Sequence, residues 1–273
     1  MNAQPGWTRQ DLDAYLSDRY VSLDQVADKT GLDRDLLEEQ VDTGCMPGPS
    51  YELRSREELY ASINGGSDTV ELRTVARYFA KDVIAWVESI APRLRDSSPA
   101  ELAPVLKSEL RAAFREGLIE HDGASIEYEG FMSLTGPIDP AKFDTHFEEY
   151  IWPNWRAGTW GICVHGSERM QNVARKTIAV SRLERLTDDG TKTDYAKSEA
   201  REVHAAMGEY DAIVPPFSPH DRHESSRARL VEALGDEVGY VFSSARRTAT
   251  KSPRTGGPQG EGLHFRRREP ART

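Results

Sequence analysis

The stretch Trp152–Leu186, WPNWRAGTWGICVHGSERMQNVARKTIAVSRLERL, decides how the chain is read. Its first half sets tryptophans at 152, 155 and 160 among Gly158, Gly161 and Gly166, with Cys163 and His165 close by. Its second half repeats apolar residues at helical spacing and predicts a helix over 167–186. A tight aromatic segment feeding a patterned helix points to a mainly α fold with little β structure.

Working outward, the same helical period recurs on both sides. Upstream, YVSLDQVADKTGLDRDLLEEQVDTG reads as two short helices. Ser22 caps the first, Thr30-Gly31 breaks it, Asp33 caps the second and Gly44 ends it. Helix, glycine turn, helix is a helix-turn-helix-like pattern, preceded by a helix over 8–17 that Thr8 can cap. CMPGPSYEL, 45–53, resembles a wing or extended arm. A longer helix is predicted over 70–92, where Leu72, Val75, Phe79, Val83, Trp86 and Ile90 recur. Ser98-Pro99 opens another that runs to about Ile119, and Asp139-Pro140 opens one carrying Phe143, Phe147 and Tyr150. Between them, 121–140 reads as a structured loop, with a short hairpin as the alternative. Downstream, helices are predicted over 191–214, antiparallel to the one at 167–186, and over 227–240.

Composition bounds the function. A chain of 273 residues, 38% hydrophobic and 29% charged, suits one large or two small helix-rich domains. No apolar run is long enough to span a bilayer, and MNAQPGWTRQDLDAYL has no secretory pattern. Cys45 and Cys163 stand far apart in no CxxC spacing, which suits two reduced thiols in the cytoplasm. A net charge of -10 opposes general nucleic-acid binding. The second helix of the N-terminal pair, DLLEEQVD, would meet phosphate with carboxylates, so a structural or protein-contact role is the expectation there. From Ser243 onward the chain lacks apolar periodicity, is rich in arginine and reads as a disordered basic tail.

Three groups of residues are candidates for chemistry. Gly158 and Gly161 let backbone come close to something, Ile162 to Val164 read as extended, and the helix opening at Ser167 offers amides to an anion. Ordinary capping by Ser167, with the tryptophans as core anchors, is the plainer alternative. Neither a P-loop nor a dinucleotide fingerprint is present, so no cofactor is assigned. Cys163 and His165, two apart on an extended segment, share a face and form a candidate nucleophile and base; a buried thiol beside a surface imidazole is the alternative. In SPHDRHESSR, Ser218 caps a helix with Pro219 at its first position, while His220, Asp221, Arg222 and His223 form a polar cluster. His-x-x-His lacks a third ligand, so no metal site is assigned; Arg175, Lys176, Arg222 and Arg227 make a better anion site.

Several of these segments carry a resemblance. Tyr20-Val21-Ser22-Leu23…Gly31-Leu32, Pro49-Ser50-Tyr51, Gly158-Thr159-Trp160-Gly161-Ile162-Cys163-Val164, Val173-Ala174-Arg175-Lys176 and Pro216-Phe217-Ser218-Pro219-His220-Asp221-Arg222, followed by Ser225-Ser226-Arg227, resemble an uncharacterised, mostly actinobacterial family described as natural product biosynthesis proteins. Thr177 follows Lys176 here where the family pattern has a glutamate. The resemblance implies a biosynthetic gene cluster and a cytoplasmic setting, without an established chemistry.

The expected organisation is a helix-turn-helix-like unit over 1–65, a helical main domain over 66–242 and the tail over 243–273. The leading functional expectation is a cytoplasmic accessory or tailoring protein of specialised biosynthesis. It would bind an anionic small molecule or a partner enzyme at a cleft of the 158–176 and 216–227 segments, through Gly158, Trp160, Gly161, Arg175, Lys176, Arg222 and Arg227. Two alternatives stand beside it: an enzyme using Cys163, His165, His220 or Asp221, and a pathway-specific regulator acting through the N-terminal helices. Neither nucleic acid nor membrane is the expected partner of the leading reading.

Overall fold

Local signals start the first helices. α1 (Arg9–Arg19) runs straight into strand β1 (Tyr20–Ser22), and α2 (Leu23–Thr30) follows. Ser22 Oγ accepts from the Gln25 N–H at 3.2 Å while the Ser22 N–H donates to Gln25 Oε1 at 2.8 Å, so two free helix-end amides are satisfied reciprocally. Gly31 ends α2 with φ 69°, and the Asp35 N–H donates to Asp33 Oδ1 at 2.8 Å to open α3 (Arg34–Thr43). The two capped helices and the glycine turn therefore form where the sequence placed them. Their inner face joins Val26 and Leu37 to Val21, Leu23, Met46, Phe79, Val83 and Val87.

The computed structural model describes residues 9–54, 58–61, 74–121, 138–223 and 225–234; of residues 9, 54, 58–61, 74, 75, 219 and 220 it describes the backbone alone. The cap expected at Thr8, most of the 121–140 loop and the basic tail lie outside the described residues. The chain divides into two units, Met1–Phe242 and Ser243–Thr273, and every described residue lies in the first.

The main departure from the sequence reading lies over 70–92. In place of one helix, strand β4 (Thr74–Ala80) precedes a shorter α4 (Val83–Ile90). β4 joins β1, β2 (Tyr51–Arg54) and β3 (Glu58–Ala61) in an antiparallel sheet of order β1-β4-β2-β3, with Val21 opposite Phe79 and Tyr51 opposite Tyr78. Val75, Phe79 and Val83 do fit a helical period. However, TVARYFA is rich in β-branched and aromatic residues, and two partner strands distant in sequence satisfy its backbone. The polar pair Lys81-Asp82 marks the break.

The larger helical body is built on α5 (Pro99–Glu120) and α9 (Met170–Thr187). They cross closely at Gly117, where a Cβ would lie 2.7 Å from the Gln171 Cα and 2.9 Å from the Ala174 Cβ. Asp139 opens α6 (Pro140–His146), which continues through a π-helical turn, Phe147–Ile151, into α7 (Trp152–Arg156). Of the segment expected to be extended, Ile162 and Cys163 lie in a helical turn, α8 (Trp160–Cys163), and Val164 has the extended backbone. α9 starts at Met170 rather than Ser167, because Arg169 before it has extended backbone (φ -101°, ψ 109°); the Ser167 N–H donates instead to Asp82. α10 (Lys197–Ile213) starts later than residue 191, since Glu199 reaches back to the Ala196 N–H at 2.9 Å and to Lys192 Nζ at 3.0 Å. A short α11 (Pro219–Arg222), capped by Ser218 as expected, and a π-helical turn, Ala228–Glu232, complete the described chain.

The fold is thus mainly α with one small sheet. Its core gathers Phe114, Phe143, Phe147, Trp155, Trp160, Val173, Ile178, Met207, Tyr210 and Leu230. Among the described residues no helix is long and apolar enough to cross a membrane.

Candidate functional site

The glycines of the central stretch meet the chain itself. A Cβ on Gly158, whose φ is 73°, would strike the backbone of Gly48 and Pro49, and one on Gly48 would strike the carbonyl of Arg156. A Cβ on Gly161 would lie 2.5 Å from Ser50 Oγ and 2.8 Å from the Ala80 Cβ. Ser50 Oγ donates to the Gly158 carbonyl at 2.9 Å, and the Gly48 N–H points at the Trp155 carbonyl at 3.4 Å. Close backbone approach was the expectation for Gly158 and Gly161. The partner is the PGPS arm that follows α3.

Beside this joint a cleft opens, lined by Ser50, Phe79, Asp82, Trp160, Ser167 and Glu168 among others. It holds about 310 Å³ of empty space when its open mouth is counted, yet its enclosed part has room for about one water. Two carboxyls face each other here. Asp82, at the start of α4, accepts from the Ser167 N–H at 2.7 Å and from Ser167 Oγ at 3.3 Å. Glu168 comes within hydrogen-bond reach of Asp82 from the turn before α9. Burial first, and then the Asp82 charge, push the Glu168 carboxyl up to about 7. Ionised, both groups are acceptors only, and the buried Glu168 Oε2 then has no donor. A proton on Glu168 supplies the missing donor. Arg169 Nε lies 3.4 Å from the other oxygen, Oε1, but its own side chain is largely exposed and it screens the pair weakly.

The expected nucleophile and base do not face each other. Cys163 Sγ points at its own helix, 3.5 Å from the Thr159 carbonyl, and burial pushes its thiol up, the reverse of what a nucleophile needs. Both cysteines are free and buried. His165 has an exposed side chain, its backbone N–H donates to the Ile213 carbonyl at 2.8 Å, and partial desolvation followed by Arg19 lowers its pKa while Asp82 opposes. Trp160 is buried with its Nε1 donating to the Ile151 carbonyl at 3.1 Å. Lys176 lies 5.4 Å from the Trp160 ring centre; burial pulls its amine down, but Cys163, Tyr150, Tyr210 and Glu184 outweigh it and the net shift is upward. Arg175 is half-buried on α9.

The residues of the second segment are largely engaged within the protein. Arg222 Nε donates to both oxygens of Glu232, at 2.8 and 3.0 Å. Arg227 is buried against Asp211 at 2.6 Å and donates to the Val214 carbonyl at 2.9 Å. Asp221 is buried and accepts from Ser218 Oγ at 2.6 Å and from the Tyr51 hydroxyl at 2.8 Å. Tyr51 in turn packs edge-on to Tyr20, with ring centres 4.9 Å apart. Asp221 thus ties the N-terminal sheet to the PFSPHD segment. His220's side chain lies outside the described residues. Among those residues no group of three or more His, Cys, Asp or Glu could hold a metal ion.

Sequence reasoning passed over Asp82 and Glu168. Glu168 stood in the quoted stretch, directly after a glycine turn and Ser167. Asp82 was hidden inside an apparently continuous helical pattern, where Lys81-Asp82 was the one interruption.

Fold and site together define a mainly α protein with a half-buried carboxyl pair at the junction of its sheet and its helical body. Residues 106–239 match the model of a family described as "Family of unknown function (DUF6058)". Neither a curated protein nor a solved structure matches the chain. The matched segment supplies Trp160, Ser167 and Glu168 to the cleft, while Ser50, Phe79 and Asp82 come from the residues before it.

Proposed function

We propose that this chain is a cytoplasmic accessory or tailoring protein of specialised metabolism that takes a small polar molecule at the Asp82–Glu168 cleft. The carboxyl pair carries the reading. A desolvated acid with a specific charge partner, held near neutrality in a cleft, is the kind of group that binding and acid–base sites use. Two carboxyls fit a ligand that brings a hydrogen-bond donor or an amine rather than an anion. The metabolic setting rests on the sequence resemblance alone. A nucleic-acid role is disfavoured by α3, which presents Asp35, Glu39 and Asp42 to solvent, while its Arg34 is held by Asp24 at 2.6 Å and Glu38 at 3.2 Å.

The test is metabolite profiling of a deletion strain complemented with wild type or with Asp82→Asn. Any accumulated intermediate is then titrated against both purified proteins by thermal shift. The reading expects one intermediate to accumulate, to stabilise wild type and to leave Asp82→Asn unmoved. Full restoration of production by a folded Asp82→Asn protein, with no intermediate binding, overturns it.

A further inference from the structure

We propose that a proton held between the Glu168 and Asp82 carboxyls latches the 164–170 turn onto the start of α4, and that loss of this proton to solvent releases the turn and opens the cleft. Three observations carry this. The turn is held to Asp82 by the Ser167 amide at 2.7 Å and by the Ser167 hydroxyl at 3.3 Å. Glu168 stands on the same turn; among the described residues no protein donor reaches its buried Oε2, and a proton on the pair supplies one. The enclosed part of the cleft has room for about one water, so enclosing anything larger needs its wall to move, and Ser167 and Glu168 form part of that wall.

Asn172 holds the rest of the turn in place. Asn172 Nδ2 donates to the carbonyls of His165 at 3.1 Å and Gly166 at 3.0 Å. Gly166 has φ 64°, and a Cβ there would press on Asn172 Nδ2 at 2.8 Å and on Glu168 Oε2 at 3.5 Å. The turn therefore folds back over the Glu168 carboxyl.

The charged groups facing the pair come from few elements. From the turn itself, Arg169 stands 3.4 Å from Glu168 Oε1 and favours its ionised form, and His165 interacts with Asp82. From the end of β4, Lys81 is drawn away to the Asp18 carbonyl. The cleft-lining residues of the PGPS arm, Pro47, Gly48 and Ser50, carry no titratable group, and from α7 and α8 the facing side chains are Trp155 and Trp160, with Arg156 held by the Asp42 carbonyl at 2.6 Å. Above neutral pH the pair is left as two adjacent carboxylates, with the exposed Arg169 beside Glu168 to screen them. The latch does not depend on what the cleft holds.

Hydrogen exchange followed by mass spectrometry on the ligand-free full chain tests this, with rates corrected for intrinsic pH dependence. In wild type, protection of the peptide containing Ser167 falls tenfold or more between pH 5.5 and 8.5, while α10 stays protected. Glu168→Gln, whose amide donates to Asp82 at every pH, keeps the protection throughout. Asp82→Asn removes the second charge and gives a flat profile, and it serves equally where Glu168→Gln does not fold. A flat wild-type profile overturns the proposal. So does an equal fall in both variants, or a fall shared by α10. Because no ligand is added, this result stands apart from the binding test above.

Discussion

Alanine at Gly158 separates a joint within the protein from a ligand-approach site. Gly158 has φ 73°, a conformation that costs an L-residue about 1–2 kcal/mol. Its Cβ would also fall on the backbone of Gly48 and Pro49, which cannot rotate away as a side chain can. Overpacking of this kind costs about 1–3 kcal/mol more. Gly158→Ala is therefore expected to lose roughly 2–5 kcal/mol of unfolding free energy. Gly31→Ala is the internal control: its φ is 69°, and no atom lies within 4 Å of the added methyl, so only the backbone cost of about 1–2 kcal/mol remains. Urea unfolding of wild type and both variants, compared at a common slope, reads the difference. If Gly158→Ala and Gly31→Ala lose the same amount, the packing of Gly158 on the PGPS arm is not what holds the joint.

Two further outcomes follow from the buried polar groups. Glu168 is raised from 4.5 to about 7, so the folded state holds the proton more tightly than the unfolded chain; its stabilisation is complete below about pH 4.5 and is lost as pH rises to about 7. The shift is worth at most roughly 3 kcal/mol, and less at the open mouth of the cleft, so wild type should lose about 1–2 kcal/mol between pH 5 and 8 relative to Glu168→Gln in paired thermal melts; a constant difference across that range refutes the assignment. Tyr51→Phe removes the donor at 2.8 Å from Asp221 and should cost about 1–3 kcal/mol, read in the same urea series, whereas an unchanged midpoint would mean that Asp221 is satisfied without Tyr51.

Local chemistry was enough to place several elements. Ser22 with Gln25, Asp33, Ser98 with Glu101 and Asp139 cap their helices because a side-chain oxygen within three residues satisfies free amides, a relation written in sequence spacing. Gly31 and Gly44 end helices for the equally local reason that left-handed backbone favours glycine. The apolar stripes of α5 and α9 likewise announce a mainly α body.

What the sequence could not decide depends on partners far away in the chain. β4 is a strand because β1 and β2 flank it, although its apolar spacing also fits a helix. The turn before α9 is tied through the Ser167 amide to Asp82, eighty-five residues earlier, where a helix start at Ser167 was expected. Gly158 and Gly161 showed that something lies close, but only the folded chain shows that it is Gly48 to Ser50. Asp82 and Glu168 are each unremarkable surface-type acids in sequence. Desolvation and mutual repulsion make them a pair, and both arise only when the start of α4 and the turn before α9 meet.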